Sequence, residues 1–349
     1  MKLSLENIKK LAMVLFTIAL IILFLKVLAN VLVPLVFAIL LAFLMFPIYS
    51  RLNKWRIPKI VAGLACIILL WLFGIGLVAL MGWQVSGFVD DIEAVKKNIN
   101  EGSNALFKWI EQNMHYSKKE QVAMLQERMK EGLGSLSTYL MGFFSATTAF
   151  LMSSILVTIY TFLLLLYHTK FKTFLRIAIK DKTKEEHTLK LVTDISQVGK
   201  KFLKGTLYDI VIVATLCAIG FFALGLKQAI FLGILVAILN VIPYVGATVG
   251  GLIPVLVALI TTSDWRIALG AGAVCMVVQL IDNNIVMPKV VGSSVSVNAL
   301  FTTMALIAGY LLWGIAGMIL AIPLMGIFKV VCDHVEELKP YGYLMSEKD

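Results

Sequence analysis

Apolar residues in this chain come in long runs, not in the alternation that covers one face of a soluble helix or strand. About Leu11–Ala29 is the first run, with Lys26 near its end, and about Val31–Tyr49 is the second, with Pro34 in its first turn. Ile60–Trp83, Ala146–Tyr167 and about Leu207–Leu226 follow. Each approaches or exceeds the roughly 20 residues that a helix needs to cross a bilayer. In hydrocarbon a segment must satisfy its own backbone hydrogen bonds, so the runs predict helices. Near the N-terminus, Lys2, Lys9 and Lys10 precede the first run in the manner of a signal peptide. No small-x-small cleavage pattern follows, and a second run begins at once, so a retained span is expected.

Two later runs are too long for one perpendicular crossing. Ala229–Thr261 and Ala299–Val331 hold 33 residues each. The first is interrupted by Asn240, Pro243, Gly246, Gly250 and Gly251, the second by Gly314, Gly317 and Pro323. Each fits one tilted, kinked helix or two half-helices in a re-entrant hairpin. Counting the apolar segment between them, which ends at Gln279–Pro288, the chain crosses eight times with single spans, and with two hairpins entering from opposite sides both termini still lie on one side. The hairpin reading makes two units of opposite orientation, a recurrent transporter plan.

Polar stretches set the orientation. Arg51, Lys54, Arg56 and Lys59 crowd a short loop without an acid, and 168–204 holds ten Lys/Arg against four acids. By the positive-inside rule both loops, and with them both termini, are cytoplasmic. Leu191, Ile195, Val198 and Phe202 form an apolar stripe beside Lys200, Lys201 and Lys204, as in a helix lying on an anionic leaflet. Residues 84–145 carry mixed charge and two sets of apolar positions at helical spacing, which predict an extracytoplasmic amphipathic hairpin. The expected division is therefore an N-terminal three-span part (1–83), that hairpin (84–145), and a second membrane part (146–349) holding the basic loop 168–204 and the broken segments 229–261 and 299–331.

Composition agrees. Hydrophobic residues make up 60% and charged residues 15%, against roughly a quarter charged in a soluble domain. The fold class is thus an all-α polytopic integral membrane protein with about eight transmembrane or re-entrant segments. A net charge of +10 would suggest nucleic acid in a soluble protein, but here topology accounts for it, and membrane lipid is the expected partner. Cys66, Cys217, Cys275 and Cys332 sit in apolar runs without short spacing and read as small buried hydrophobes. The four histidines are scattered and no H-E-x-x-H occurs. Gly199–Thr206 inverts the Lys-Gly order of a phosphate loop. Asp209 could pair with Asp282 as in an intramembrane aspartyl protease, but in the first turn after a basic loop it reads as a helix cap. No enzyme, cofactor or metal site is expected.

The costly residues concentrate between Leu239 and Gly292. Gln279, Asp282 and Asn283 lie at i, i+3 and i+4 and share a helix face, which Pro288-Lys289 ends. An acid at membrane depth marks a pathway unless a neighbour such as Lys289 neutralises it. Asn240 and the Pro243–Gly246 turn offer backbone groups that protein, water or solute must satisfy, with the Tyr244 hydroxyl beside them. Such a cluster can bind a polyhydroxylated solute, coordinate a cation or carry a proton.

Asn240-Val-Ile-Pro-Tyr-Val-Gly246 resembles a signature of the AI-2E (autoinducer-2 exporter-like) transporter family. Gln279-Leu-Ile-Asp-Asn-Asn-Ile-Val-Met-Pro-Lys-Val-Val-Gly292 and Trp313-Gly-Ile-Ala-Gly-Met-Ile-Leu-Ala-Ile-Pro323 are similar to its second and third. The order and spacing of the three motifs agree, and the resemblance extends loosely over the whole chain. Where many members have His-Pro this chain has Asn298-Ala299, so a proton role tied to that His does not carry over. The resemblance implies a multi-pass protein of the bacterial plasma membrane, possible as a homo-oligomer, with activities divided between export of an autoinducer-2-like signal and sodium/proton exchange. The expected function is secondary, non-ATP transport of a small polar solute along Asn240, Pro243, Tyr244, Gly246, Gln279, Asp282, Asn283 and Pro288. Monovalent cation/proton antiport is the alternative, and a non-transporting membrane scaffold is the alternative of another class.

Overall fold

In the computed structural model of the protein, the described residues are 5–90, 154–179, 182–243, 245–262, 264–290 and 297–347. Most of the expected hairpin at 84–145, and Tyr244, lie outside them. The chain runs α1 (Leu5–Val27), α2 (Ala29–Lys54), α3 (Lys59–Asp90), α4 (Ser154–Ala178), α5 (Lys182–Ala223), α6 (Ala229–Asn240), α7 (Val245–Thr262) and α8 (Trp265–Ile281). A π-helical turn (Asp282–Val286), α9 (Met287–Val290), α10 (Ala299–His334) and α11 (Lys339–Leu344) complete it. Among the described residues, six helices are long and apolar enough to cross a membrane. The all-α polytopic membrane architecture is the one the apolar runs predict. Pro34 and Pro47 both lie inside α2. The expected basic loop 168–204 is largely helical, since α4 continues to Ala178 and α5 begins at Lys182.

Packing divides the chain into two compact units that interleave along the sequence. The first comprises Met1–Ile68, Ile155–Thr206 and Val290–Asp349. Here Gly199 of α5 presses on Leu40 and Phe43 of α2, and Phe202 is buried. Phe202, the last position of the apolar stripe, is thus covered by protein, where a leaflet was expected. Gly63 of α3 receives the Phe162 ring of α4, and the Trp313 indole N–H donates to the Leu25 carbonyl (3.0 Å). His334 meets Asp194 (Nε2 to Oδ2, 3.2 Å), and its carbonyl accepts from the His187 Nε2 (3.0 Å). Asn298 caps α10 by accepting from the Phe301 N–H (3.1 Å), and its amide donates to the Leu344 carbonyl (2.9 Å). Asn298 is thus a clasp for the C-terminal turn.

α10 is a hairpin, not one kinked span. Trp313 and Gly314 leave the helical region (Gly314 φ 62°, ψ −143°), and the Gly309 and Gly317 backbones then lie against each other. A Cβ on Gly309 would meet the Gly317 carbonyl oxygen at 2.5 Å, and open space surrounds Gly314. Only the backbone therefore demands glycine at 314. Gly314→Ala is expected to cost about 1–3 kcal/mol, because its φ and ψ lie in a region essentially confined to glycine. A thermal melt of the detergent-solubilised protein checks this; an unchanged midpoint would mean that the turn rearranges freely.

The second unit comprises Leu69–Ser154 and Leu207–Lys289. Its core takes Val213, Cys217 and Phe221 from α5, Leu232 and Leu235 from α6, Val257 and Ala258 from α7, and Ala271, Cys275 and Val278 from α8. Lipid tails are as apolar as leucine, so close van der Waals packing through small residues must hold such helices together. Gly233 lets α6 lie directly on the α5 backbone at Ala214 and Ala218, and Gly220 receives Val274 of α8. α6 and α7 also form a hairpin. At 12 residues α6 falls short of a full span, and its Val236 and Leu239 meet Gly250 of the 18-residue α7. The four cysteines are free and buried, packing as small apolar residues.

Candidate functional site

The site lies in the second unit, at the α6–α7 turn. α6 stops at Asn240 because Pro243, without an N–H, follows within one turn. The Val241 and Ile242 N–H groups donate to the Ile238 and Leu239 carbonyls (3.2 and 2.9 Å), and the Gly246 N–H to the Ile242 carbonyl (2.9 Å). Much of the backbone polarity expected to face a solute is thus taken up locally. Gly246 is forced by crowding: a Cβ there would collide with the Leu239 carbonyl oxygen and the Asn240 Cα. Gly246→Ala should therefore cost about 1–3 kcal/mol by overpacking, read as a lowered melting midpoint.

The polar helix reaches the turn from α8. Where α8 passes into the π-helical turn, the wider winding buries Asp282 and Val286 while leaving Asn283 and Asn284 exposed. Single π turns inside α-helices recur at functional sites because they redirect side chains. Asp282 is 3% exposed, and its Oδ2 accepts from the Asn240 amide at 2.8 Å. This bond joins two sequence motifs 42 residues apart. The Gln279 amide is 3.5 Å from the same oxygen and donates to Asn283 Oδ1 at 3.1 Å. The structure therefore brings Asn240, Gln279, Asp282 and Asn283 together beside Pro243 and Gly246. Pro288 is exposed inside the described helix end, and Tyr244 is outside the described residues. Lys289 is exposed and makes no ion pair with Asp282, so local neutralisation of that acid does not occur.

Asp209 overturns the helix-cap expectation. It lies well inside the 42-residue α5, is 5% exposed, and stands beside the Asp282 and Asn240 side chains. The Oδ1 atoms of both Asp209 and Asp282 are buried without a hydrogen-bond partner. The signal available in the sequence was a carboxylate inside an apolar run; the adjoining basic loop supplied a local explanation that the packing does not use. Two ionised carboxylates side by side in apolar surroundings repel strongly, and a proton shared between them or a small cation relieves that repulsion. With the Asn240 and Gln279 amides, the pair forms an oxygen-rich locus suited to either.

A cavity of about 420 Å³ opens beside this locus, lined by Thr248, Gly251 and Val255 of α7 and by Gly272 and Cys275 of α8, with Gln279, Asp282 and Asn283 as its polar side. Its volume accommodates a small organic solute, far more than a bare ion. At Gly251 a Cβ meets only Cys275 at 3.8 Å, an ordinary contact. Gly251→Ala should be silent, and Gly251→Leu should block the cavity and reduce solute flux about tenfold or more while the protein still folds; equal flux would show that solute does not use this space.

The family model described as AI-2E family transporter matches residues 11–337. Among proteins with curated names, the chain is 28% identical over 324 residues to Putative transport protein YueF of Bacillus subtilis, covering 88% of this chain and 84% of that one. It is 24% identical over 307 residues to Putative transport protein YhhT of Escherichia coli, covering 86% and 84%. A shorter match, 31% over 141 residues, is to Putative transport protein YrrI of Bacillus subtilis, covering 40% and 39%.

Proposed function

Since the chain belongs to the AI-2E transporter family, we propose that it is an ion-coupled secondary transporter of a small polar solute, with Asp209, Asp282 and Asn240 holding the coupling ion. The observation that carries this reading is the buried Asn240–Asp282 bond with a second carboxylate beside it, at the edge of a solute-sized cavity. In a membrane the α6–α7 hairpin acts as a re-entrant element, and its turn holds Asp282 at the wall of the cavity that a small polar solute enters. Polyhydroxylated solutes of the autoinducer-2 kind suit a wall that is mostly apolar with amide and carboxylate groups along one side. Energy comes from an ion gradient, since a proton or cation bound at the carboxylate pair changes the charge the solute meets. The bacterial plasma membrane, with both termini cytoplasmic, is the setting that the basic loops support.

A second reading, exchange of a monovalent cation for a proton, is favoured by the Asp209–Asp282 pair itself. Proteoliposome flux separates the two. The first reading expects uptake of a labelled polyol-like signal that rises with an imposed proton or sodium gradient. The second expects sodium addition to collapse a pH gradient with no solute present. If neither flux exceeds that of empty liposomes, both readings fail.

A further inference from the structure

The first unit contains a second cavity, of about 460 Å³, where α2, the α2–α3 turn and α4 meet. Tyr49, Lys54, Arg56, Lys59, His168 and Thr169 line it, and none of its lining residues is acidic. The charges of a basic loop are ordinarily solvated and serve topology alone. Two observations set this place apart.

One is Arg56. The α2 C-terminus closes as a Schellman motif, with the Arg56 N–H donating to the Asn53 carbonyl (3.0 Å) and the Ile57 N–H to the Leu52 carbonyl (3.3 Å). That motif places its left-handed residue where glycine is the usual choice. Here the residue is arginine, at φ 62°, the one non-glycine with positive φ among the described residues. The backbone gains nothing from a side chain at that point, so the guanidinium is the part that a role can use. Arg56, Lys54 and Lys59 form no ion pair among the described residues.

The other is Tyr49. Its side chain is fully buried, yet its hydroxyl has no hydrogen-bond partner. Phenol hydroxyls at such depth ordinarily find one. His168 stands edge-on to the Tyr49 ring, with its Nδ1 donating to the Leu165 carbonyl (2.8 Å) and its Nε2 meeting the Thr169 hydroxyl (3.1 Å). Cations at the rim with a hydroxyl donor at depth are the chemistry of an oxyanion receptor, and arginine matches phosphate oxygens in pairs.

We infer that this cavity binds a phosphate-bearing anion, with Arg56 and Lys59 on its charge and the Tyr49 hydroxyl donating to one oxygen. The ligand chemistry is shared by an anionic phospholipid headgroup and by a free phosphate. Nothing in this inference depends on the transport reading.

The full-length protein, delipidated in neutral detergent, provides the test. It is titrated with sodium phosphate against sodium chloride, and with phosphatidylglycerol against phosphatidylcholine, reading bound copies by native mass spectrometry and the melting midpoint. The expected result is one saturable copy of phosphatidylglycerol, of phosphate, or of both. Binding of phosphatidylglycerol alone identifies a headgroup site; binding of phosphate identifies a site open to soluble anions. Arg56→Gly relieves the backbone while removing the cation, so it should fold at least as well as the wild type and bind about tenfold more weakly. Tyr49→Phe should also weaken binding, and Lys190→Gln, a basic residue outside the cavity, should not. The inference is overturned if neither anion exceeds its control, or if Arg56→Gly and Lys190→Gln weaken binding equally, since diffuse surface charge would then be the cause.

Discussion

Asp282→Asn should lower gradient-driven transport by about a hundredfold or more, the scale at which loss of a positioned proton-carrying group is felt, while leaving the fold intact. The amide keeps the shape of the carboxylate, its carbonyl oxygen still accepts from Asn240, and its N–H₂ can donate to Asp209 beside it. Nothing in the α6–α7 turn is therefore left without a partner, and the melting midpoint should stay within a few degrees of the wild type. What disappears is the ionisable group that Asn240 and Gln279 hold in place. Proteoliposomes reconstituted to equal protein content measure the effect. Full transport by a well-folded Asp282→Asn protein would remove Asp282 from the pathway. It would also favour a scaffold role, in which the packing glycines matter more than the acid. Asn240→Ala is the graded companion: it leaves the carboxylate without its 2.8 Å donor, so transport should fall about tenfold with some loss of stability.

The parts of this molecule that could be read from its residues are those where lipid makes polarity costly. A soluble protein tolerates an Asn or an Asp in most helices, but in an apolar run of membrane length such a residue needs a reason, and Asn240 and Asp282 turn out to be each other's partner. The two broken segments could not be resolved in the same way. Length and interruption fit a kinked helix and a hairpin equally; the choice lies in contacts such as Gly309 on Gly317 and Gly250 on Val236, which are tertiary. Asp209 was obscured by its neighbourhood. A carboxylate one turn beyond Lys204 has a sufficient local role at a helix start, and only the continuation of α5 back to Lys182 places it inside a helix. The π turn at Asp282 has no composition signal either, because Asp-Asn-Asn-Ile-Val is compatible with an ordinary α turn.

Asp209→Asn should then separate function from stability. If the pair serves ion coupling, the native protein maintains two facing carboxylates that a purely structural site would avoid. Replacing one by an amide removes the repulsion and gives the partnerless Asp282 Oδ1 a potential N–H donor. The melting midpoint should rise, by an amount corresponding to about 1–2 kcal/mol, while coupled transport falls at least about tenfold. Downhill exchange of solute should be less affected, since Asp282 and the cavity remain. The double variant Asp209→Asn/Asp282→Asn should transport no worse than Asp282→Asn alone, as expected for groups that act as one unit. A helix cap predicts the reverse pattern: a lowered midpoint, unchanged transport, and additive effects in the double variant. Since the two outcomes differ in sign on the thermal melt, the stability measurement discriminates even before a substrate is known.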